Sequence, residues 1–322
     1  MYGWGDDTSA WKKPGAYNYG SAKAPYLKDL EKEAAKDGPR TYTEKSSPNL
    51  KLVDPKGRII KSMSKNPILF GIDGTGSMQT WPGEFFDRAP LLYQTLSKYR
   101  DDVEISFSVI GDTVSDDWPV QVSDFGKGVT LDSFLKALKP EGRGGPGIRE
   151  SYELWAHYIN EHAQTPNAVS PLLFILGDEK FYDKVDPKQV QHYLGDTLQA
   201  PINSMDVWKA LAQKFDMYLL RKQYPGHDEE ITSQWKEAIG EQKIIPIYDP
   251  LRVVDIAMGL VAKKWGNYGD FQTNLSARQD SNGIASVMAS LKVAPGVEVI
   301  GDMKSMTAGS DGSKKSINLL EE

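Results

Sequence analysis

Five short apolar runs, each followed by a stretch with helical spacing, constrain this chain more than any other feature. They are Ile68–Ile72 (ILFGI), Val103–Ile110 (VEISFSVI), Leu172–Leu176 (LLFIL), Met217–Leu220 (MYLL) and Ile244–Tyr248 (IIPIY). Runs that stay apolar at consecutive positions suit strands covered on both faces, as in a parallel sheet. Pro246 cannot donate to a ladder, which assigns the last run to an edge. Between the runs, Phe85, Phe86, Ala89, Leu92, Tyr93 and Leu96 recur at helical spacing within Glu84–Tyr99, and Ile148, Tyr152, Trp155 and Ile159 mark a second stripe. Met205–Phe215, Ile231–Ile239 and Val253–Trp265 follow, the last ending on Lys263, Lys264 and Gly266, a sound helix C-terminus. The alternation predicts an α/β fold: a doubly wound, mostly parallel sheet flanked by helices and joined by right-handed crossovers.

The texture differs on either side of this block. Residues 1–66 mix Gly, Pro, Tyr, Lys and Asp without a sustained period, apart from a helical pattern at Tyr26–Ala35 that stops at Gly38-Pro39. They read as a largely irregular N-terminal extension, with Tyr2, Trp4, Trp11, Tyr17 and Tyr19 as candidate docking aromatics. Residues 67–265 form the α/β domain. Residues 266–322 form a C-terminal extension with one short helix near Ile284–Leu291 and a flexible tail from Ala308.

Composition removes several function classes. Lys and Arg number 38 against 44 Asp and Glu, a net charge of -6, which gives no basic footprint for nucleic acid or a membrane surface. Cysteine is absent, so disulfide scaffolds, thiolate metal sites and Cys nucleophiles are excluded. No apolar run approaches the ~18–20 residues a membrane helix needs, and no secretory leader is visible. The expectation is a soluble, cytoplasmic protein whose oligomeric state stays open.

In open α/β sheets ligands bind beyond the carboxyl ends of the strands. The first strand runs into Asp73-Gly74-Thr75-Gly76-Ser77-Met78, the second ends at Gly111-Asp112-Thr113, and the LLFIL run ends at Gly177-Asp178-Glu179. Asp73, Thr75 and Ser77 place three oxygens on one side of a tight loop, and Gly74 and Gly76 let the backbone turn closely. Such oxygens suit a hard cation, Mg²⁺ or Mn²⁺, with Asp178 and Asp112 as further carboxylates. The same residue types also favour turns and helix N-caps, which is the plainer reading of each.

Other motifs do not fit. Gly71 stands where a D-x-D-G-T phosphatase carries its nucleophilic Asp. Gly71, Gly74 and Gly76 lack dinucleotide spacing, and no P-loop, H-E-x-x-H or G-x-S-x-G occurs.

ILFGIDGTGSM, the GD after the second strand and FILGDE together resemble the von Willebrand factor A-type (integrin I-like) fold. GDTVSDDWPVQVSDF and GRGGPGIRESYELWAHY resemble its intracellular members in particular. The resemblance covers roughly residues 67–265. It implies a metal-ion-dependent adhesion site with Asp73, Thr75 and Ser77 as first-loop ligands and Asp178 as the distal carboxylate. That family also supplies a Thr from the loop before the third helix. Here the loop is Glu141-Gly142-Arg143-Gly144-Gly145-Pro146-Gly147, without Thr or Ser, and Glu150, Ser151 or Asp112 is the expected substitute.

The resemblance implies a divalent-cation-dependent protein-binding module in which an acidic residue of a partner protein completes the metal shell. The alternatives are a metal-dependent hydrolase, with Glu179 and then Asp112 as candidate base, and a scaffold whose metal loop is only structural. No catalytic nucleophile is apparent.

Overall fold

The computed structural model describes residues 47–128, 130–145 and 147–294. The helical pattern at Tyr26–Ala35, the N-terminal aromatics and the tail from Ala308 lie outside the described residues. Six strands form the central sheet: Pro67–Asp73 (β1), Glu104–Ile110 (β2), Val120–Val122 (β3), Leu172–Gly177 (β4), Asp216–Lys222 (β5) and Ile244–Ile247 (β6). Their order is β3-β2-β1-β4-β5-β6. All neighbours are parallel except β2 and β3. The five apolar runs are the five parallel strands, and β6 with Pro246 lies at an edge. Every residue of β1 and β4 is buried, which is why their sequences show no alternation. The antiparallel edge β3 was not expected: Val-Gln-Val is too short to carry a period, and its pairing with Ser108–Ile110 defines it.

Among the described residues, eight helices of eight or more residues surround the sheet: Trp81–Tyr99 (α1), Thr130–Ala137 (α2), Tyr152–His162 (α3), Ser204–Lys214 (α4), Asp228–Ile239 (α5), Val253–Trp265 (α6), Tyr268–Arg278 (α7) and Ser281–Leu291 (α8). Alternate residues of β1 feed the two faces. Ile68, Phe70 and Ile72 join Phe85, Phe107, Phe174 and Met258 in one core layer. Leu69 joins Ile175, Tyr152, Trp155, Trp208 and Trp235 in the other. Phe70 stacks on Phe174 at 4.9 Å between ring centroids and lies 5.1 Å from Phe85. Trp155 and Trp265, expected in the core, are buried.

Two helices, not the expected one, follow Trp265. α7 buries only Phe271 and Leu275 among apolar side chains, one turn apart, too little to read as a stripe. A buried ion pair ties it down, since Arg278 Nη1 donates to Asp255 Oδ1 of α6 at 2.7 Å. On the N-terminal side, Val53 and Ile60 are fully buried, and Ile60–Lys61 pairs in parallel with Ala163–Gln164. Apolar packing in the first layer therefore extends from Val53 to Ala294. Among the described residues, no helix is long and apolar enough to cross a membrane.

What matters for function is the neighbourhood of β1 and β4. The chain leaves β1 for β2 on one side, then returns to lay β4 on the other. Connections diverge at that point, so the carboxyl ends of β1 and β4 open a crevice. Asp73 is the last residue of β1, and Asp178 directly follows β4.

A carboxylate-rich candidate metal site at the sheet crest

The loop after β1 is closed by its own residues. Thr75 donates to Asp73 Oδ1 through its backbone N–H at 2.8 Å and its hydroxyl at 2.6 Å. Tyr152, at the start of α3, donates its phenol proton to Asp73 Oδ2. Ser77 Oγ lies 3.3 Å from Thr75 Oγ1 and donates to Asp178 Oδ1 at 2.8 Å. Four of the expected residues, Asp73, Thr75, Ser77 and Asp178, thus form one hydrogen-bonded chain that bridges the crevice, although 105 residues separate the two aspartates.

The glycine loop presses on this chain from above. Gly142 N donates to Gly74 O at 2.9 Å, and Gly76 N donates to Arg143 O at 2.5 Å. A Cβ on Gly74 would lie 2.7 Å from Val109 Cγ1 and 3.0 Å from the backbone of Pro140. Gly74→Ala is therefore expected to cost ~1–3 kcal/mol through overpacking. A urea unfolding curve with a lowered midpoint and unchanged slope checks this.

Asp112 stands one step away. Its Oδ1 accepts from Tyr182 OH at 3.0 Å and Ser151 Oγ at 3.3 Å, and its backbone N–H donates to Asp116 at 2.6 Å. Its Oδ2 is buried without a hydrogen-bond partner among the described residues, with the backbone of Gly145 against it. Of the two expected substitutes at the α3 start, Ser151 is engaged with Asp112 and Thr113, whose N–H it accepts at 3.0 Å. Glu150 is the other. Its side chain is buried, and its Oε2 has no hydrogen-bond partner among the described residues. The charge of Asp73 acts on it more strongly than that of any other neighbour.

The electrostatics follow from crowding carboxylates in a dry place. Burial, and then the charge of Asp178, push Asp73 up to about 7, against the pull of Thr75 and Tyr152. Burial, then Asp73 and Asp178, push Glu179 up to about 8, with the Ser77 hydroxyl opposing. Burial, then Asp73 and Glu179, push Glu150 up to about 11. Burial alone dominates for Glu153, raised to about 8, and for Asp112, also raised.

This donor set fits a hard dication. Buried oxygens that repel one another, two of them without a partner among the described residues, are stabilised together by a cation that they share. Among the described residues, no three Asp, Glu or His side chains converge into a cage by themselves. The Thr75 and Ser77 hydroxyls would have to share the work, as the spacing of the loop suggests. The residues able to hold an ion are Asp73, Thr75, Ser77, Glu150 and Asp178, with Asp112 behind them.

Two participants escaped the sequence reading. Tyr152 read only as part of an apolar stripe, yet its hydroxyl reaches Asp73. Lys222, the last residue of β5, donates to Asp178 Oδ2 at 2.6 Å and to Ser77 O at 2.8 Å. The adjacent ladder was the available signal: Arg221 pairs with Gly177, so the next residue stands beside Asp178. The histidines lie elsewhere. His162 bonds Asp196, and His227 lines an open cleft of about 690 Å³ with Lys180, Glu230 and Glu237, which Asp73 does not line. Arg143 of the glycine loop pairs with Asp117 at 3.1 Å on the surface.

No protein-family model and no curated protein matches this chain. Solved structures do. The pilus adhesin SpaC from Lactobacillus rhamnosus GG, in its open conformation, is similar over 65% of this chain and 31% of its own length, at 11% identity and a TM-score of 0.46. Proximal thread matrix protein 1 from the mussel byssus is similar over 65% of this chain and 49% of its own, at 8% identity and a TM-score of 0.44. A von Willebrand factor type A protein from Catenulispora acidiphila is similar over 63% of this chain and 43% of its own, at 16% identity and a TM-score of 0.38. The chain spans less than half the length of each of these three.

Proposed function

We propose that this protein is a divalent-cation-dependent protein-binding module whose partner presents an acidic residue. The observation that supports this most is Glu150 Oε2, buried and without a hydrogen-bond partner among the described residues, on a side chain that the charge of Asp73 reaches. Asp73, Thr75, Ser77, Glu150 and Asp178 would hold Mg²⁺ or Mn²⁺. When bound, such an ion supplies an electrophilic position that a partner carboxylate fills. The chain's own residues do the rest. Tyr152 and Thr75 fix the Asp73 carboxylate, and Ser77 fixes Asp178. The Gly142–Arg143 backbone holds the loop closed from above.

The test uses an immobilised array of Asp- and Glu-containing peptides and their Asn and Gln counterparts. Binding is expected to the acidic peptides alone, in Mg²⁺ or Mn²⁺, and to vanish in chelator. Equal binding with and without chelator contradicts a coordination bridge.

A metal-dependent hydrolase has one observation in its favour. Glu179, raised to about 8 by burial and then by the charges of Asp73 and Asp178, could exchange a proton just above neutral pH. Glu179→Gln separates the readings. A hydrolase loses turnover of a phosphate ester by ~10²-fold or more, whereas a binding module keeps its cation and its peptide.

A further inference from the structure

The corner of the site formed by Ser77 and Asp178 already carries a positive charge. Lys222 Nζ sits 2.6 Å from Asp178 Oδ2 and 2.8 Å from Ser77 O. The carboxylate it meets is wholly buried, and the lysine side chain is itself only 18% exposed. Ser77 serves both partners, donating its hydroxyl to Asp178 Oδ1 and accepting from the ammonium at its carbonyl. Lys222, Asp178 and Ser77 therefore form a closed triangle, made possible because β5 lies beside β4 in register, Arg221 opposite Gly177.

We propose that Lys222 is a tethered counter-cation that competes with a dication for Asp178 and Ser77, so that the ion enters only as the ammonium swings out. The inference rests on the proposed cation-binding reading and adds how the site is regulated. An ammonium and a dication repel strongly across a few ångströms of poorly screened interior. Neither can share Asp178 and Ser77 with the other at no cost. The length and flexibility of the lysine stem provide the exit: four methylenes carry the charge into solvent while β5 stays in place. A bound dication would thereby release the side chain to the rim of the crevice, where it could meet an incoming acidic partner. Loading the site and arming its rim would be a single event.

Calorimetric titration of the full chain with Mg²⁺ and Mn²⁺ tests this, comparing wild type, Lys222→Met and Lys222→Arg. Lys222→Met is expected to bind the ions about tenfold more tightly or better, because the competing charge is gone, and Lys222→Arg to stay near wild type. The wild-type protein gives a second readout that does not depend on any variant folding. The Nζ resonance of Lys222, slow to exchange while held by two oxygens, should shift and lose protection as Mg²⁺ saturates the site. If wild type binds and Lys222→Met binds no more tightly, or if the resonance is unmoved at saturation, competition is overturned while the cation site stands. If wild type takes up neither ion, the cation reading falls and this inference with it.

Discussion

Asp73→Asn should abolish cation binding while leaving the fold at least as stable as wild type at pH 8. The two halves have one cause. Asp73 is fully buried, and its carboxyl is raised to about 7, chiefly by burial and then by Asp178. Ionised at pH 8, it costs stability that an amide does not. The amide oxygen can still accept from Thr75, and its NH₂ can donate to the Tyr152 oxygen, so the hydrogen-bond geometry has a substitute. A cation loses its central charged ligand, and the affinity should fall at least ~100-fold, or about 3 kcal/mol. Calorimetry with Mn²⁺ alongside a thermal melt in chelator reads both effects. A variant that binds Mn²⁺ as wild type does would remove Asp73 from the site.

The second large effect is a stability that declines as pH rises and that Mg²⁺ restores. Asp73 near 7 and Glu153 and Glu179 near 8 all have folded-state values above their ordinary range. Across neutral pH the folded protein therefore holds protons that the unfolded chain has lost. Stability from these groups is complete below the ordinary carboxylate range and is lost as pH climbs through about 7 to 8. Three groups set the lower limit of the test window. Asp102 and Asp216, held below the carboxylate range by hydrogen-bond donors, lose stability only in acid. His157, lowered by burial, opposes folding as it protonates below about pH 6.5.

Between about pH 6 and pH 8.5 the carboxylates dominate. Without divalent ions, the melting temperature should fall by about 5–10 °C, on the order of a few kcal/mol for a domain of this size. Saturating Mg²⁺ should reverse the part that comes from Asp73, the one of the three placed to hold the ion, since an ionised carboxylate is what a dication needs. Glu153, hydrogen-bonded to the Tyr182 N–H away from the loop, should keep its share of the decline. A melting temperature flat over this range, with and without Mg²⁺, would contradict the account.

How far the sequence discloses such a site depends on what kind of contact makes it. The β1 and β4 strands were legible because full burial demands unbroken apolar runs. Asp73, Thr75, Ser77 and Asp178 were legible because they directly follow those runs, and strand ends in a doubly wound sheet converge. Lys222 and Tyr152 were not, for opposite reasons. Tyr152 sits in a helical stripe where its ring is core and only its hydroxyl matters. Lys222 ends a strand whose alignment with β4 exists only in three dimensions. Glu150 and Ser151 read alike as substitutes for the missing loop hydroxyl; packing alone distinguishes them, since Asp112 and Thr113 engage Ser151 while Glu150 Oε2 has no partner among the described residues. β3 and α7 were hidden because pairing and one buried ion pair, not a periodic apolar pattern, define them.

The most direct measurement is the anomalous scattering of a crystal equilibrated with millimolar Mn²⁺. The account predicts a single strong peak in the crevice between β1 and β4, within bonding distance of Asp73 and Ser77, with Glu150 turned toward it and Lys222 withdrawn from Asp178. A crystal that shows no such peak, with Lys222 still bridging Asp178 and Ser77, would contradict it.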